Sequence, residues 1–276
     1  MRAARARVRL RAMEITPEMK AALVRDDAAI IGKAFPLHGD NARVIQANAR
    51  HLALLLRDTN IPDRASRAAA FAENLLDANI YAHVVGRVDC ARGCDHCCKT
   101  YVSASIPEIL WLARAVRGKA AKTARVNEAA AKSCSVEQYV REDLRLPCPM
   151  LENRGCSEYQ SRPMVCRAVL SKSLDTCLRI FELKSGEAFT PADPSATVRA
   201  LNVIILRAGL ILAGLPYQHV EMNHALSIAL ADETAETRWL AGEPVFGAVA
   251  MDAGDAKPSP FSKIVDGLVG ALRQTV

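Results

Sequence analysis

The sequence predicts a mainly α-helical protein: a helical domain built around a cysteine-rich loop region that metal organises. Three observations carry this. Half of the 276 residues are hydrophobic but only 5% are aromatic, so the core must be mostly Ala, Leu, Ile and Val. Ala-rich runs with few β-branched alternations favour helix. Apolar residues recur at helical spacing on both flanks of the chain, and all nine cysteines fall between Cys90 and Cys177, where Pro and Gly interrupt regular structure.

The elements follow in order. Residues 12 to about 35 contain Thr16-Pro17-Glu18, an N-cap followed by Pro at the first helical position, and a helical run ending near Gly32. Pro36 to Asp40 reads as a turn. From Asn41 to Arg57 one face carries Val44, Ala47, His51, Leu52, Leu55 and Leu56, and Asp63 to Val84 repeats the pattern with Ala68, Phe71, Leu75, Leu76, Asn79 and Ile80. These two segments read as an antiparallel pair joined by Thr59 to Pro62. Ser105-Ile106-Pro107-Glu108 is a capping box opening a helix through Val116, and a second Ala-rich helix covers about 120 to 132. Leu146 to Arg162 and Lys184 to Ser195 are Pro-punctuated loops. Helices are expected near 195–213, 217–231 and 233–241, and a last one after Pro258-Ser259-Pro260. The organisation expected is a basic disordered leader at 1–12, N-terminal helices at 13–85, a cysteine-cluster metal-binding region at 86–180, and C-terminal helices at 181–276 completing the same globular domain.

The net charge of +6 is local. Arg2, Arg5, Arg7, Arg9 and Arg11 supply most of it with no acid among them, and the rest of the chain is nearly balanced. A like-charge run of this kind is ordinarily a solvated leader, so nucleic acid is not the expected partner. The most apolar stretch, Val203 to Leu215, is interrupted by Arg207 and stops before Pro216, short of the ~20 residues of a membrane span. The leader lacks the apolar core of a secretory signal. The expectation is a soluble cytoplasmic protein with no membrane partner.

The cysteines are the informative residues. A disulfide scaffold belongs to small, core-poor secreted chains, and this chain is neither small nor poor in core residues. In Cys90-Ala-Arg-Gly-Cys94-Asp-His-Cys97-Cys98-Lys99 the two residues between Cys94 and Cys97 form a loop that can aim both sulfurs at one ion, and Gly93 supplies the freedom a tight knuckle needs. Adjacent Cys97 and Cys98 diverge, so one of them can serve a second ion or a multi-iron cluster. Cys148, Cys156, Cys166 and Cys177 are too widely spaced for a local chelate and bind together only if the fold converges them on the first group. Eight thiolates suffice for two four-cysteine zinc sites, or for one iron–sulfur cluster and another site. Arg92, Lys99, Arg154, Arg162 and Arg167 stand beside these cysteines in sequence and can offset thiolate charge. His96 reads equally as a spacer or an extra ligand. Cys134 has no partner at ligand spacing and reads as a buried small hydrophobe. Glu221 and His224 stand at i, i+3; they can share a helix face and a metal or proton, although an ordinary polar face is the preferred reading.

The run Cys90-x3-Cys94-x2-Cys97-Cys98, followed by Cys148-Pro149-Met150-Leu151, Gly155-Cys156, Tyr159-x2-Arg162-Pro163-x2-Cys166-Arg167 and Cys177, resembles the YkgJ-type cysteine-cluster family, described as a zinc- or iron-chelating domain. The likeness covers about residues 86–180, and Glu221-Met222-Asn223-His224 with Arg238-Trp239-Leu240-Ala241 is similar to the C-terminal part of longer members. Three residues rather than two separate Cys90 from Cys94. The resemblance implies metal binding by Cys90, Cys94, Cys97, Cys98, Cys148, Cys156, Cys166 and Cys177, with zinc or an iron–sulfur cluster as the cofactor. Relatives among the flagellin lysine methylases join a similar cluster to methyl transfer, but this chain shows no Gly-rich loop after a strand for a nucleotide-like cofactor. Three functions follow as expectations: a redox or methyl-transfer-related metalloenzyme acting on a protein or small molecule, a non-catalytic protein-binding module with structural zinc, or thiol-based handling of a soft metal ion.

Overall fold

The computed structural model describes residues 16–37, 39–84, 88–134, 136–137, 140, 143–189, 191–249 and 260–276. The expected leader at 1–12 lies outside the described residues. Among these, eleven α-helices and two small two-stranded sheets make the protein mainly α, as composition and periodicity predict.

On the N-terminal side are α1 (Pro17–Asp27), α2 (Ala42–Arg57) and α3 (Arg64–His83). The first is shorter than the sequence pattern suggests: the Thr16 hydroxyl caps it by accepting from the Met19 N–H, and after Asp27 the chain leaves the helix through turns ending at Gly32. α4 (Ile106–Val116) and α5 (Ala120–Ser133) follow a short 3-10 turn, His96–Lys99. In the capping box, the Glu108 carboxylate accepts from the Ser105 N–H and hydroxyl at 2.9 and 2.6 Å. Two short helices, α6 (Met164–Ala168) and α7 (Leu174–Phe181), lie in the cysteine region, where sequence periodicity marks none. The C-terminal part comprises α8 (Ser195–Leu212), α9 (Met222–Ala231), α10 (Ala235–Leu240) and α11 (Pro260–Leu272).

α8 is the hub of the core. It packs against α2, α3, α6 and α11, while α9 packs on α4 and α5 and α3 packs on α4. Leu52, Leu76, Ile205, Leu206 and Leu226 in this single core are fully shielded from solvent. Small residues set the closest approach. A Cβ on Gly209 of α8 would lie 2.7 Å from the Leu52 Cβ and 3.5 Å from the Ala49 carbonyl of α2, so only glycine lets the two backbones come together there. The helix is also longer than the apolar stretch that sequence reading singles out. It has the length and composition of a membrane span, with a mean hydropathy of 1.6 over its 18 residues, but 56% of that window is buried against its neighbours, as in a core helix.

Two further differences concern strands. Where helix is expected from residue 217, β4 (His219–Glu221) comes first and pairs antiparallel with β1 (Ser103–Ser105), Ala104 opposite Val220. Both strands run directly into helices, α4 and α9. Glu221 therefore shares no helix face with His224: its carboxylate caps α9, accepting from the N–H groups of Asn223 (3.1 Å) and His224 (2.7 Å). The expected loop at 146–162 holds a hairpin of β2 (Leu151–Glu152) and β3 (Gly155–Cys156), whose turn residues Asn153 and Arg154 both adopt positive φ.

Candidate metal centre

The cysteine region starts as a chain held to its neighbours by backbone rather than by apolar packing. The Asp89 N–H donates to the Ser171 carbonyl at 2.9 Å, the Ser171 N–H donates to the Cys90 Sγ at 3.3 Å, and the Asp89 carboxylate accepts from the Leu174 N–H. This lays Cys90 along the entry to α7, which carries Cys177. The knuckle comes next. Gly93 sits at φ +90° with open space around it, so its role is conformational, and the Cys94 N–H closes the turn on the Ala91 carbonyl at 3.0 Å. The 3-10 turn bearing Cys97 and Cys98 then packs on α7. Glu182 fastens this contact, taking the Lys99 ammonium at 2.8 Å and the His96 Nδ1 at 3.0 Å. The Lys99 ammonium, with His96, holds the Glu182 carboxyl below its usual value.

From the same turn the Cys98 carbonyl accepts the Cys148 N–H at 2.8 Å. The chain turns through Cys148 to Leu151, whose hairpin partner is Cys156, and Cys166 follows on α6. The cysteines of the sequence expectation, Cys90, Cys94, Cys97, Cys98, Cys148, Cys156, Cys166 and Cys177, lie on the segment leading into the 3-10 turn and on that turn, on the 148–156 turn and hairpin, and on α6 and α7.

Burial and mutual proximity raise the thiol pKa values here. Cys90 is raised by burial, with Cys94, Cys177 and Cys97 adding to it. Cys94 is raised by burial with help from Cys97 and Cys177. For Cys97 the hydrogen bond with Cys98 leads, and burial adds to it. Burial pushes Cys148 up to about 11 and raises Cys156, and it raises Cys166 strongly, with Cys148, Cys97 and Cys156 contributing. Crowded, desolvated thiols of this kind become thiolates when a cation compensates them, which is the behaviour of metal ligands. Among the described residues no three His, Cys, Asp or Glu side chains are close enough together to hold a metal ion. In kind, though not in closeness, the thiol donors suit zinc or iron.

The basic residues divide. Arg162, stacked 3.7 Å over the Tyr159 ring, opposes the rise at Cys97, Cys156 and Cys166 without reversing it. Arg154 reaches Asp95 at 3.4 Å, Lys99 is taken by Glu182, and Arg92 is exposed. Arg167 departs from the sequence expectation. Its side chain is fully buried and turns into the core, pairing with Glu73 at 2.8 Å and with Asp77, and donating to the Arg162 and Gln160 carbonyls. It is a tie between α6 and α3 rather than a compensating charge for thiolates. Burial pushes the Glu73 carboxyl up to about 9 against the pull of Arg167. Glu73 and Glu182 escape sequence reading because no local spacing links them to a cysteine; their partners are 94 and 83 to 86 residues away.

Cys134 is a correction. It is exposed, not buried, because it is the C-cap of α5 and Ser133 takes the inward position. His96 is held by Glu182 as described. Beside Cys148 a small cavity is lined by Tyr101, Ser133, Glu221 and Asn223. The Ser133 Oγ and Asn223 Oδ1 are buried there with no hydrogen-bond partner among the described residues.

Residues 89–185 match the family model described as "CxxCxxCC: Putative zinc- or iron-chelating domain". The match spans the cysteine region with α4 to α7 and leaves α1 to α3 and α8 to α11 outside it. No curated protein and no solved structure matches the chain. Residues 89–185 are thus similar to a zinc- or iron-chelating domain, within a chain of helical fold.

Proposed function

We propose that this is a metalloprotein in which Cys90, Cys94, Cys97, Cys98, Cys148, Cys156, Cys166 and Cys177 ligate zinc or iron, and in which the bound metal fastens the cysteine loops to the helical body. The observation that carries this reading is the convergence of cysteines from four separate chain segments on the 3-10 turn at 96–99, through contacts that are mostly backbone hydrogen bonds. The 88–100 segment buries no side chain fully, so little apolar burial offsets its ordering entropy, and thiolate–metal bonds would supply the difference. An all-sulfur donor set suits zinc or an iron–sulfur cluster and disfavours magnesium or calcium. Nine free thiols accord with a reducing, cytoplasmic setting.

A second reading rests on the cavity beside Cys148. It is water-sized, with the buried Ser133 Oγ and Asn223 Oδ1 on its wall, and so offers a place for water beside a redox-active sulfur cluster. Metal analysis and a visible spectrum of anaerobically purified protein separate the readings. Colourless protein with stoichiometric zinc supports the structural role, and broad visible absorption with iron and acid-labile sulfide supports a redox centre. Protein that carries neither metal, and binds neither when supplied under reducing conditions, would refute the proposal.

A further inference from the structure

Two of the segments that carry cysteines are attached to the helical body in different ways. In 88–100 no side chain is fully buried. In 159–168 the body holds the chain through buried charged groups. α6 is five residues long, too short to stand as a helix in water by itself, and its N-cap is Pro163, which has no side-chain oxygen to accept the first free N–H groups. Glu108 of α4 supplies that acceptor. Its residue is 2% exposed; one carboxylate oxygen takes the Ser105 N–H and hydroxyl in the capping box of α4, and the other takes the Met164 N–H at 2.7 Å.

A single carboxylate thus joins two helix starts. Its two oxygens, both acceptors, meet all three donors, where an amide with one acceptor oxygen would leave a donor unmet inside the protein. The far end of α6 is held as well. Arg167 donates to Glu73 of α3 and, turning back, to the Gln160 and Arg162 carbonyls, which gathers in the chain leading to the helix. Cys166 stands between these two ties. The helix that carries it rests on α3 and α4 through contacts that involve neither a sulfur nor a metal.

Resting on the reading of Cys166 as a metal ligand, we propose that Glu108 is a positioning residue for that thiol: with Arg167 it docks α6 on the helical body in the metal-free protein, so that Cys166 is held in place before a metal arrives. The test uses the metal-stripped, reduced full chain. Labelling of each cysteine by N-ethylmaleimide is read by peptide mass spectrometry, with the exposed Cys134 as internal standard and circular dichroism as the check on folding. In Glu108→Ala the rate at Cys166 relative to Cys134 should rise about tenfold or more, as expected when a buried charge-assisted hydrogen bond no longer opposes local opening. In Ser105→Ala it should change by about twofold at most, because the cap weakened there belongs to α4 and the Met164 N–H keeps its acceptor. If Glu108→Ala failed to fold, hydrogen exchange of the metal-free wild type would still decide: peptides over 159–168 should be protected to the level of α4, and those over 88–100 should exchange far faster. Equal exchange in the two segments, unchanged labelling of Cys166 in folded Glu108→Ala, or the same acceleration in Ser105→Ala would overturn the positioning role. Zinc counted by native mass spectrometry on the wild type and on Cys166→Ser tests the ligand reading separately. Equal zinc content in the two would refute Cys166 as a ligand and leave the docking of α6 standing.

Discussion

The helical body and the cysteine region occupy one chain but are held together by different physics. In the body, α2, α3 and α8 bring Leu52, Ala53, Leu76, Ile205 and Ala208 to zero exposure, and Gly209 lets two helices touch. In the segment from 88 to 100 no residue is fully buried, and its contacts are hydrogen bonds and the Glu182 clamp. Apolar burial contributes about 25 cal/mol per Å², whereas exposed ion pairs contribute about 0–1 kcal/mol each. The comparison teaches that the body can be ordered by its own side chains, while the 88–100 segment has little apolar burial to order it, which makes its dependence on bound metal the point to test.

Removing metal attacks that difference directly and should have the largest effect. Structural zinc can supply roughly 10 kcal/mol or more to a small domain. Chelation under reducing conditions should therefore expose the hairpin around Gly155 and the 182–194 segment to limited proteolysis, while α2, α3 and α8 persist as a resistant core. Equal cleavage with and without chelator would erase the distinction.

Next comes the tie between the regions. Arg167→Met leaves the Glu73 carboxyl and the Gln160 and Arg162 carbonyls without their guanidinium donor inside the protein. Breaking a buried pair in this way costs about 3–5 kcal/mol. Urea unfolding of the metal-loaded protein should show that loss, and a change under 1 kcal/mol would mean that α6 is held to α3 by other means.

Within the body, Gly209→Val should cost about 1–3 kcal/mol by forcing α8 away from Leu52 and Ala49 of α2. Metal content per folded chain should not change. If the variant kept its stability but lost metal, the two regions would be coupled far more tightly than their contacts indicate.

The smallest effect belongs to Cys134→Ser. An exposed helix C-cap should change stability by no more than about 0.5 kcal/mol and leave metal stoichiometry untouched. Loss of a metal ion in this variant would show that the ligand set has been drawn wrongly.

The sequence by itself determined the helical class and most helix positions. The capping box at Ser105 and Glu108, the Thr16-Pro17 start and the Ala/Leu stripes of α2 and α3 are local signals, legible because helices close their hydrogen bonds within a few residues. It also singled out the cysteines, since a chelating knuckle such as Cys94-x2-Cys97 is written in short spacing. Short-range signals could not show that Val220 would pair with Ala104 and start α9 five residues late, because a strand depends on a partner more than a hundred residues away. Nor could they show that Arg167 would turn from the thiols toward Glu73, or that Cys134 would face solvent. Those outcomes were decided only by tertiary structure: long-range loop closure, competition for buried carboxylates, and the direction in which each Cβ points once the helices have packed.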